Sequence, residues 1–262
     1  MATFPATHPI FKSLTAELAG PDLEGWEPFR DLHQFQFYRR PYTGANPYGL
    51  VVDQLATATD DTLIDLATST TTPPSVTPAA DGVLYEYKVI GVFADVDART
   101  LDRVYTDLDY RKSWDINMLR HTDLGHGQFS YAVKYPFPLT NREYIYRIAK
   151  HTTEDTTGRP VYVTLGASLT VEGNYSGLPG QYRDPHTQDP PPLKGSTRIQ
   201  QYFQALVLAS LPSSPGCQVL MHYFEDPDGN IPAFLVNWVI KAGVPAFIKN
   251  LRDACLRYKP RP

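Results

Sequence analysis

The sequence predicts an α+β fold, one long curved antiparallel sheet finished by a C-terminal helix. Two observations carry that prediction. From residue 83 onward, runs that alternate apolar and polar residues succeed one another with turns between them, and consecutive strands joined by turns pair antiparallel. Helical spacing interrupts this pattern mainly over 97–110 and at the end of the chain, over 244–258.

The elements follow in order. VLYEYKVIGVF puts Val83, Tyr85, Tyr87, Val89, Gly91 and Phe93 on one face of a strand. In DARTLDRVYTDLDYRKSWD, Asp97 is an N-cap, and Leu101, Val104, Tyr105 and Leu108 share a helical face. That helix is expected to end near Tyr110 and to deliver Arg111, Trp114 and Asp115 to the sheet. Further strands are expected over 128–135, 142–151, 160–172, 196–209 and 217–225, with RHTDLGHG at 120–127 as a turn-like segment. A shorter apolar turn around Trp238 and a break at Gly243–Pro245 precede the last helix, whose face is Val244, Phe247, Ile248, Leu251, Ala254, Cys255 and Tyr258. A long sheet finished by one helix has room for a cavity.

The chain of 262 residues is 42% hydrophobic, enough to bury a sizeable core, and reads as a single domain. Two segments rich in Thr, Pro or Gly, 56–81 and 176–195, read as flexible insertions in that domain. A formal charge of −4 supplies no basic field for nucleic acid. Cys217 and Cys255 are too few for a disulfide framework and fit a reducing compartment. The first residues, MATFPATHPIFK, do not read as a secretory signal, so a cytoplasmic protein is expected. The longest apolar stretch, starting at Ile231, is too broken to span a bilayer.

The chemistry lies in aromatic residues and one basic residue. Phe129, Tyr131, Val133 and Tyr135 share a strand face, as do Arg142, Tyr144, Tyr146 and Ile148 on the next. A buried tyrosine needs a partner for its hydroxyl where phenylalanine does not, so inward tyrosines imply a polar object inside or trapped water. Arg111 and Asp115, four residues apart, are either a surface ion pair or a buried guanidinium held by a carboxylate and offering its other donors to a phosphate. Asp102, Asp107 and Asp109 are expected on the solvated face of their helix. No metal site, cofactor site or catalytic constellation is expected: His121 and His126 have no third ligand at metal spacing, and no nucleophile elbow, zincin motif or phosphate-cradling glycine loop occurs.

The blocks GVLYEYKVIGVF, VYTDLDYRKSWD, VKYPFPLTNREYIYR and NIPAFLVNWVIKAGVPAFIKNLRDAC resemble, in order and spacing, START domains of the phosphatidylcholine transfer protein group, over roughly residues 82–258. The resemblance implies a helix-grip fold whose curved sheet and C-terminal helix enclose one lipid. It implies that Tyr105 and Arg111 hold the lipid phosphate with Asp115 beside the arginine, and that Tyr131, Tyr144 and Tyr202 cage the choline. Aromatic faces suit a quaternary ammonium, which has no hydrogen to donate. Tyr131 stands where that group carries tryptophan, which opens the choice between choline and ethanolamine headgroups. The function implied is carriage of one phospholipid, phosphatidylcholine or also phosphatidylethanolamine, between membranes by a monomer, without catalysis. The alternatives are a helix-grip enzyme for a small apolar substrate and a lipid sensor that does not transfer. Residues 231–262 carry six basic residues against one acid, and transient docking on a membrane surface is expected through Trp238, Lys249 and Arg252.

Overall fold

The computed structural model describes residues 9–32, 34–44, 48, 83–125, 128–168, 192–227 and 242–259. The expected insertion at 56–81, most of that at 176–195, His126 and the turn around Trp238 lie outside the described residues. The chain opens with α1 (Pro9–Ala19), whose Phe11, Leu14 and Leu18 recur at helical spacing and are buried. Strands β1 (Glu27–Leu32), β2 (Phe35–Pro41) and β3 (Tyr85–Phe93) follow, then α2 (Ala98–Thr106) and the short α3 (Leu108–Arg111). Next come β4 (Met118–Gly125), β5 (Gln128–Val133), β6 (Asn141–Glu154), β7 (Pro160–Ser168), β8 (Ser196–Ile199), β9 (Tyr202–Ser210) and β10 (Cys217–Glu225), and α4 (Val244–Arg257) ends the order.

The ten strands among the described residues form one open sheet in the order β1-β2-β3-β10-β9-β7-β6-β5-β4, with β8 beside β6. Every pairing is antiparallel except that of β8 with β6, which is parallel. The run expected as one strand over 196–209 is thus two, separated at Gln200 and Gln201. Ser168 marks the break: its hydroxyl donates to the Gln200 carbonyl at 2.9 Å and accepts the Tyr202 N–H at 3.0 Å.

Other expectations are corrected. The helix expected to continue to Tyr110 stops at Asp107, whose ψ of 88° leaves the helical region. The Asp107 carboxylate then caps the next turn by accepting the Tyr110 N–H at 2.8 Å, which re-aims the chain before Arg111. The segment containing His121 is not a turn but part of β4, with His121 opposite Tyr131 of β5. Asp102 does not face solvent: it accepts from Lys150 at 2.6 Å and Thr164 at 3.2 Å, tying α2 to β6 and β7. The Asp97 cap is as expected, accepting the Thr100 N–H at 2.9 Å.

Both faces of the sheet are covered, and period-2 alternation assigns residues to each. On one face α1 packs on β7, β9 and β10, burying Phe11, Leu18, Val163, Leu165, Phe203 and Val207. On the other, α2 and α4 pack together, and Leu251 and Ala254 of α4 share a buried cluster with Leu206, Leu208 and Val219 of the sheet. Gly91 permits part of this packing: a Cβ there would lie 2.1 Å from the ring of Phe35, which crosses the strand. Cys217 and Cys255 sit in the same layer, and burial pushes both thiols up to about 12. Beyond α4, towards β5 and β6, this second face carries the tyrosines.

Candidate functional site

Register brings the site together. Tyr131 of β5 lies opposite Tyr144 of β6, and Phe129 opposite Tyr146. Gly166 and Gln204 are paired between β7 and β9, and Tyr202 stands opposite Glu225 at the end of β10. Because strand neighbours two residues apart share a face, these positions converge on one surface. Tyr131 and Tyr144 are 6.2 Å apart by ring centroid, Tyr144 and Tyr202 5.4 Å. Two rings that sequence reasoning left out of the site complete the cluster: Tyr146, 5.9 Å from Tyr202, and Tyr223, also 5.9 Å from Tyr202. Most of these contacts are edge-to-face, the arrangement favoured by ring quadrupoles.

Arg111 borders the cluster. Its Nε donates to Asp115 Oδ2 at 2.9 Å, and the side chains are only 14% and 5% exposed, so this is a buried pair and not a surface one. The guanidinium carbon lies 5.1 Å from the Tyr131 ring centroid and 5.4 Å from that of Tyr105, with Trp114 and Phe247 also beside it. Burial pulls the guanidinium down most strongly, but Tyr131, Tyr105 and Asp115 outweigh it and hold Arg111 above its ordinary range. The arginine is therefore a fixed cation inside a ring of aromatic faces.

The hydroxyls have specific partners. Tyr131 donates to Asp115 Oδ2 at 3.1 Å, so one carboxylate oxygen serves both the tyrosine and Arg111. Tyr105 and Tyr202 both donate to Gln204 Oε1, at 2.8 and 3.2 Å. Tyr135, Tyr144 and Tyr223 all donate to the Glu225 carboxylate, at 2.6, 2.5 and 2.5 Å. Burial, followed by the charge of Glu225, raises these three hydroxyls well above the usual tyrosine range, so they remain donors. Gln204 and Glu225 are polar residues that sequence reasoning missed. Their signal was present: each stands two positions from a tyrosine of the site on an alternating strand, in FQA after Tyr202 and in YFE from Tyr223.

A cleft of about 200 Å³ opens between the 114–117 turn and the start of α4, walled by Asp115, Asn117, Ala246 and Phe247. Its lining includes Asp115, which holds Arg111, but none of the clustered tyrosines. Near it Ile116 is 76% exposed, and at the tip of the β5–β6 turn Phe137 is 92% exposed. Of the residues expected to meet a membrane, Trp238 lies outside the described residues, and the other two are paired. Lys249 binds Asp253 at 2.8 Å, while Arg252 reaches Asp95 from β3's end at 3.0 Å. Among the described residues no grouping of His, Cys, Asp and Glu suits a metal ion, and no helix is long and apolar enough to cross a membrane.

Comparison with known proteins decides the family. A START domain model matches residues 181–261. Rat phosphatidylcholine transfer protein is 39% identical over 178 residues, covering 67% of this chain and 75% of the relative, and the human protein is 37% identical over 180 residues with the same coverage. The chain belongs to the START family. Mouse StAR-related lipid transfer protein 7, mitochondrial, is 23% identical over 90% of this chain and 50% of its own length. Among solved structures, human STARD10 superposes with a TM-score of 0.60 at 19% identity, covering 98% of this chain and 82% of that one. Human StAR-related lipid transfer protein 5 gives 0.53 at 13% identity, over 95% and 97% of the two chains. These structures show the α+β helix-grip fold. The START relatives named here are lipid transfer proteins.

Proposed function

We propose that this START protein binds one phospholipid, preferentially phosphatidylcholine, with its tails between the sheet and α4, and exchanges it between membranes. One observation carries the reading: the Tyr131 ring belongs at once to the surroundings of Arg111, at 5.1 Å, and to the tyrosine cluster, 6.2 Å from Tyr144. A cation with fork-shaped donors and a set of aromatic faces are thus neighbours, which is the complement of a zwitterionic headgroup with phosphate and ammonium joined by a short linker. Nε of Arg111 is committed to Asp115, and the paired Nη nitrogens form the fork that takes a phosphate. Tyr105 stands beside the guanidinium as a second phosphate ligand, and Tyr144 and Tyr202 with Tyr131 present faces to the ammonium.

Carriage follows from the apolar tails. Burial stabilises by about 0.8 kcal/mol per methylene, so two long chains give a gross gain on the order of 20 kcal/mol before association costs, and release into water is slow. Exchange then requires contact with a bilayer. Docking through Lys249 and Arg252 on α4 requires both to leave their acidic partners for lipid phosphates, and the exposed Ile116 and Phe137 offer apolar contacts.

Native mass spectrometry of the protein purified from cells tests the carriage reading: one intact phospholipid per chain is expected, and a sterol or a soluble metabolite in its place would overturn it. Transfer between vesicles tests exchange, and a protein that binds without transferring is a sensor. Reversing the charges of Lys249 and Arg252 is expected to slow transfer between anionic vesicles, and unchanged transfer removes them from docking.

A further inference from the structure

We infer that Glu225 is a specificity-determining residue, the countercharge that selects a phospholipid whose headgroup bears an ammonium over one whose headgroup is uncharged. The inference rests on the phospholipid-binding reading above and assigns the selection to a residue outside the three tyrosines.

The geometry begins with β10. Its pairing with β9 sets Glu225 opposite Tyr202, on the face that carries the cluster. Oε2 accepts the hydroxyls of Tyr144 and Tyr223, both at 2.5 Å, and Oε1 that of Tyr135 at 2.6 Å. Two of these donors are ring neighbours of Tyr202, Tyr144 at 5.4 Å and Tyr223 at 5.9 Å. The carboxylate is therefore bonded to one of the rings proposed to face the ammonium, Tyr144, and to a ring neighbour of another, Tyr223.

What it lacks is a positive partner. Among the described residues no arginine, lysine or histidine forms an ion pair with Glu225. Arg142, which approaches one of these tyrosines, lies 5.0 Å from the Tyr135 ring centroid and directs Nη1 to the Thr140 carbonyl at 2.7 Å. The buried carboxylates behave differently from part-buried Glu225. Glu143 has Arg120 and Arg198, Glu86 has Arg40 and His222, and Asp115 has Arg111. Three hydroxyls satisfy the lone pairs of Glu225 but bring no opposite charge, so its field is directed into the cluster. A quaternary ammonium fits that field without needing a hydrogen bond, since charge attraction acts at ring-contact distance. A headgroup with phosphate and no cation leaves the field uncompensated and is disfavoured.

A purely mechanical role is the competing account, because the Tyr144 and Tyr135 bonds also rivet β10 to β6 and to the segment just after β5. Competition separates the two. Wild-type, Glu225→Gln and Glu225→Asp proteins are incubated with mixed phosphatidylcholine and phosphatidylglycerol vesicles. Bound lipid is read by native mass spectrometry and folding by thermal melting. Glu225→Gln keeps the size and an acceptor but removes the charge, and is expected to lower the preference for phosphatidylcholine about tenfold while total phospholipid occupancy is retained. Glu225→Asp is expected to keep the preference even with a lower melting temperature, because the charge remains. A Glu225→Gln protein with wild-type preference, whatever its melting temperature, overturns the inference, as does loss of preference in Glu225→Asp. A wild-type protein that takes up neither phospholipid shows a different failure, that of the phospholipid-binding reading itself.

Discussion

The two faces of the sheet use buried polar groups in opposite ways. On the face covered by α1, the buried carboxylates of Glu86 and Glu143 and the buried Lys88 are each answered by opposite charges within the protein. Lys88 pairs with Glu17 of α1, Glu86 pairs with Arg40, and His222 bridges Tyr48 and Glu86 at 2.7 and 2.8 Å. Further along, Glu143, without exposure, takes Arg198 at 3.0 Å, Arg120 and the Leu193 N–H at 3.1 Å. On the opposite face Asp102 pairs with Lys150 beneath α2, but around the tyrosine cluster the polar groups are tyrosine hydroxyls, the Arg111–Asp115 pair and Glu225, set among rings. Arg111 has one carboxylate and four aromatic neighbours, and Glu225 has three hydroxyls and no cation. Saturated networks hold the fold, whereas charges separated along a surface of ring faces suit the dipolar headgroup proposed above. The contrast separates structure from function on strands that serve both, since the alternate residues of β6 and β10 belong to different networks.

Breaking the α1-face network tests the structural half of this comparison and carries the largest expected effect. Glu86→Ala leaves His222 and Arg40 without their shared carboxylate and is expected to destabilise by about 3 to 5 kcal/mol in denaturant unfolding, with headgroup preference unchanged. The pH dependence has a definite sign. Burial alone drives the Glu86 carboxyl up, but hydrogen bonding and charge from His222, with Arg40, hold it below its ordinary value. Its contribution is therefore present above the ordinary carboxylate range and lost as pH falls through the lowered value. Unfolding of a Glu86→Gln protein is expected to depend less steeply on pH below about 4 than that of the wild type. An altered lipid preference in either variant would break the separation of the faces.

On the other face, Arg111→Ala is expected to weaken binding of every phospholipid by about 2 to 5 kcal/mol, since all carry the phosphate and Asp115 is left buried without its partner. Equilibrium binding to a fluorescent phospholipid measures this, and full occupancy in the variant would place the headgroup elsewhere. Replacing Tyr144 or Tyr202 by Ala has a narrower expected effect: loss of affinity for choline lipids exceeding that for others, by about 1 kcal/mol per ring face removed. Equal losses for all headgroups would show that these rings serve the core alone.

Tyr131→Trp is the smallest and sharpest test. The larger ring is expected to raise the preference for phosphatidylcholine over phosphatidylethanolamine by about 0.5 to 1 kcal/mol. It also removes the hydroxyl that donates to Asp115, so a loss of about 1 kcal/mol in stability accompanies the gain. Competition of the two lipids and thermal melting on the same samples read both, and an unchanged preference would remove Tyr131 from the cage.

Local pattern by itself determined which residues share a strand face, because side chains alternate with period two whatever the strand pairs with. Tyr131, Tyr144 and Tyr146 were legible as inward residues, Tyr202 only through the family resemblance, and the Asp97 cap and the buried stripe of α4 were legible from helical spacing. Pairing was not. The separation of β8 from β9, the parallel place of β8 beside β6 and the return of the first strands to the edge of the sheet depend on partners distant in the chain. The Asp107 break between α2 and α3 was equally hidden, because a side chain that suits a helix surface also suits a cap. Only the tertiary structure decided that Glu86 is buried against Arg40 and His222, that Lys88 is buried against Glu17 of α1 and that Asp102 meets Lys150. Each of these charges alternates or repeats as a solvent-facing residue would, and its burial follows from an element placed over it. Only register, too, set Glu225 opposite Tyr202 and within reach of three hydroxyls, since hydrogen-bonded neighbours across a sheet are fixed by pairing and not by sequence distance.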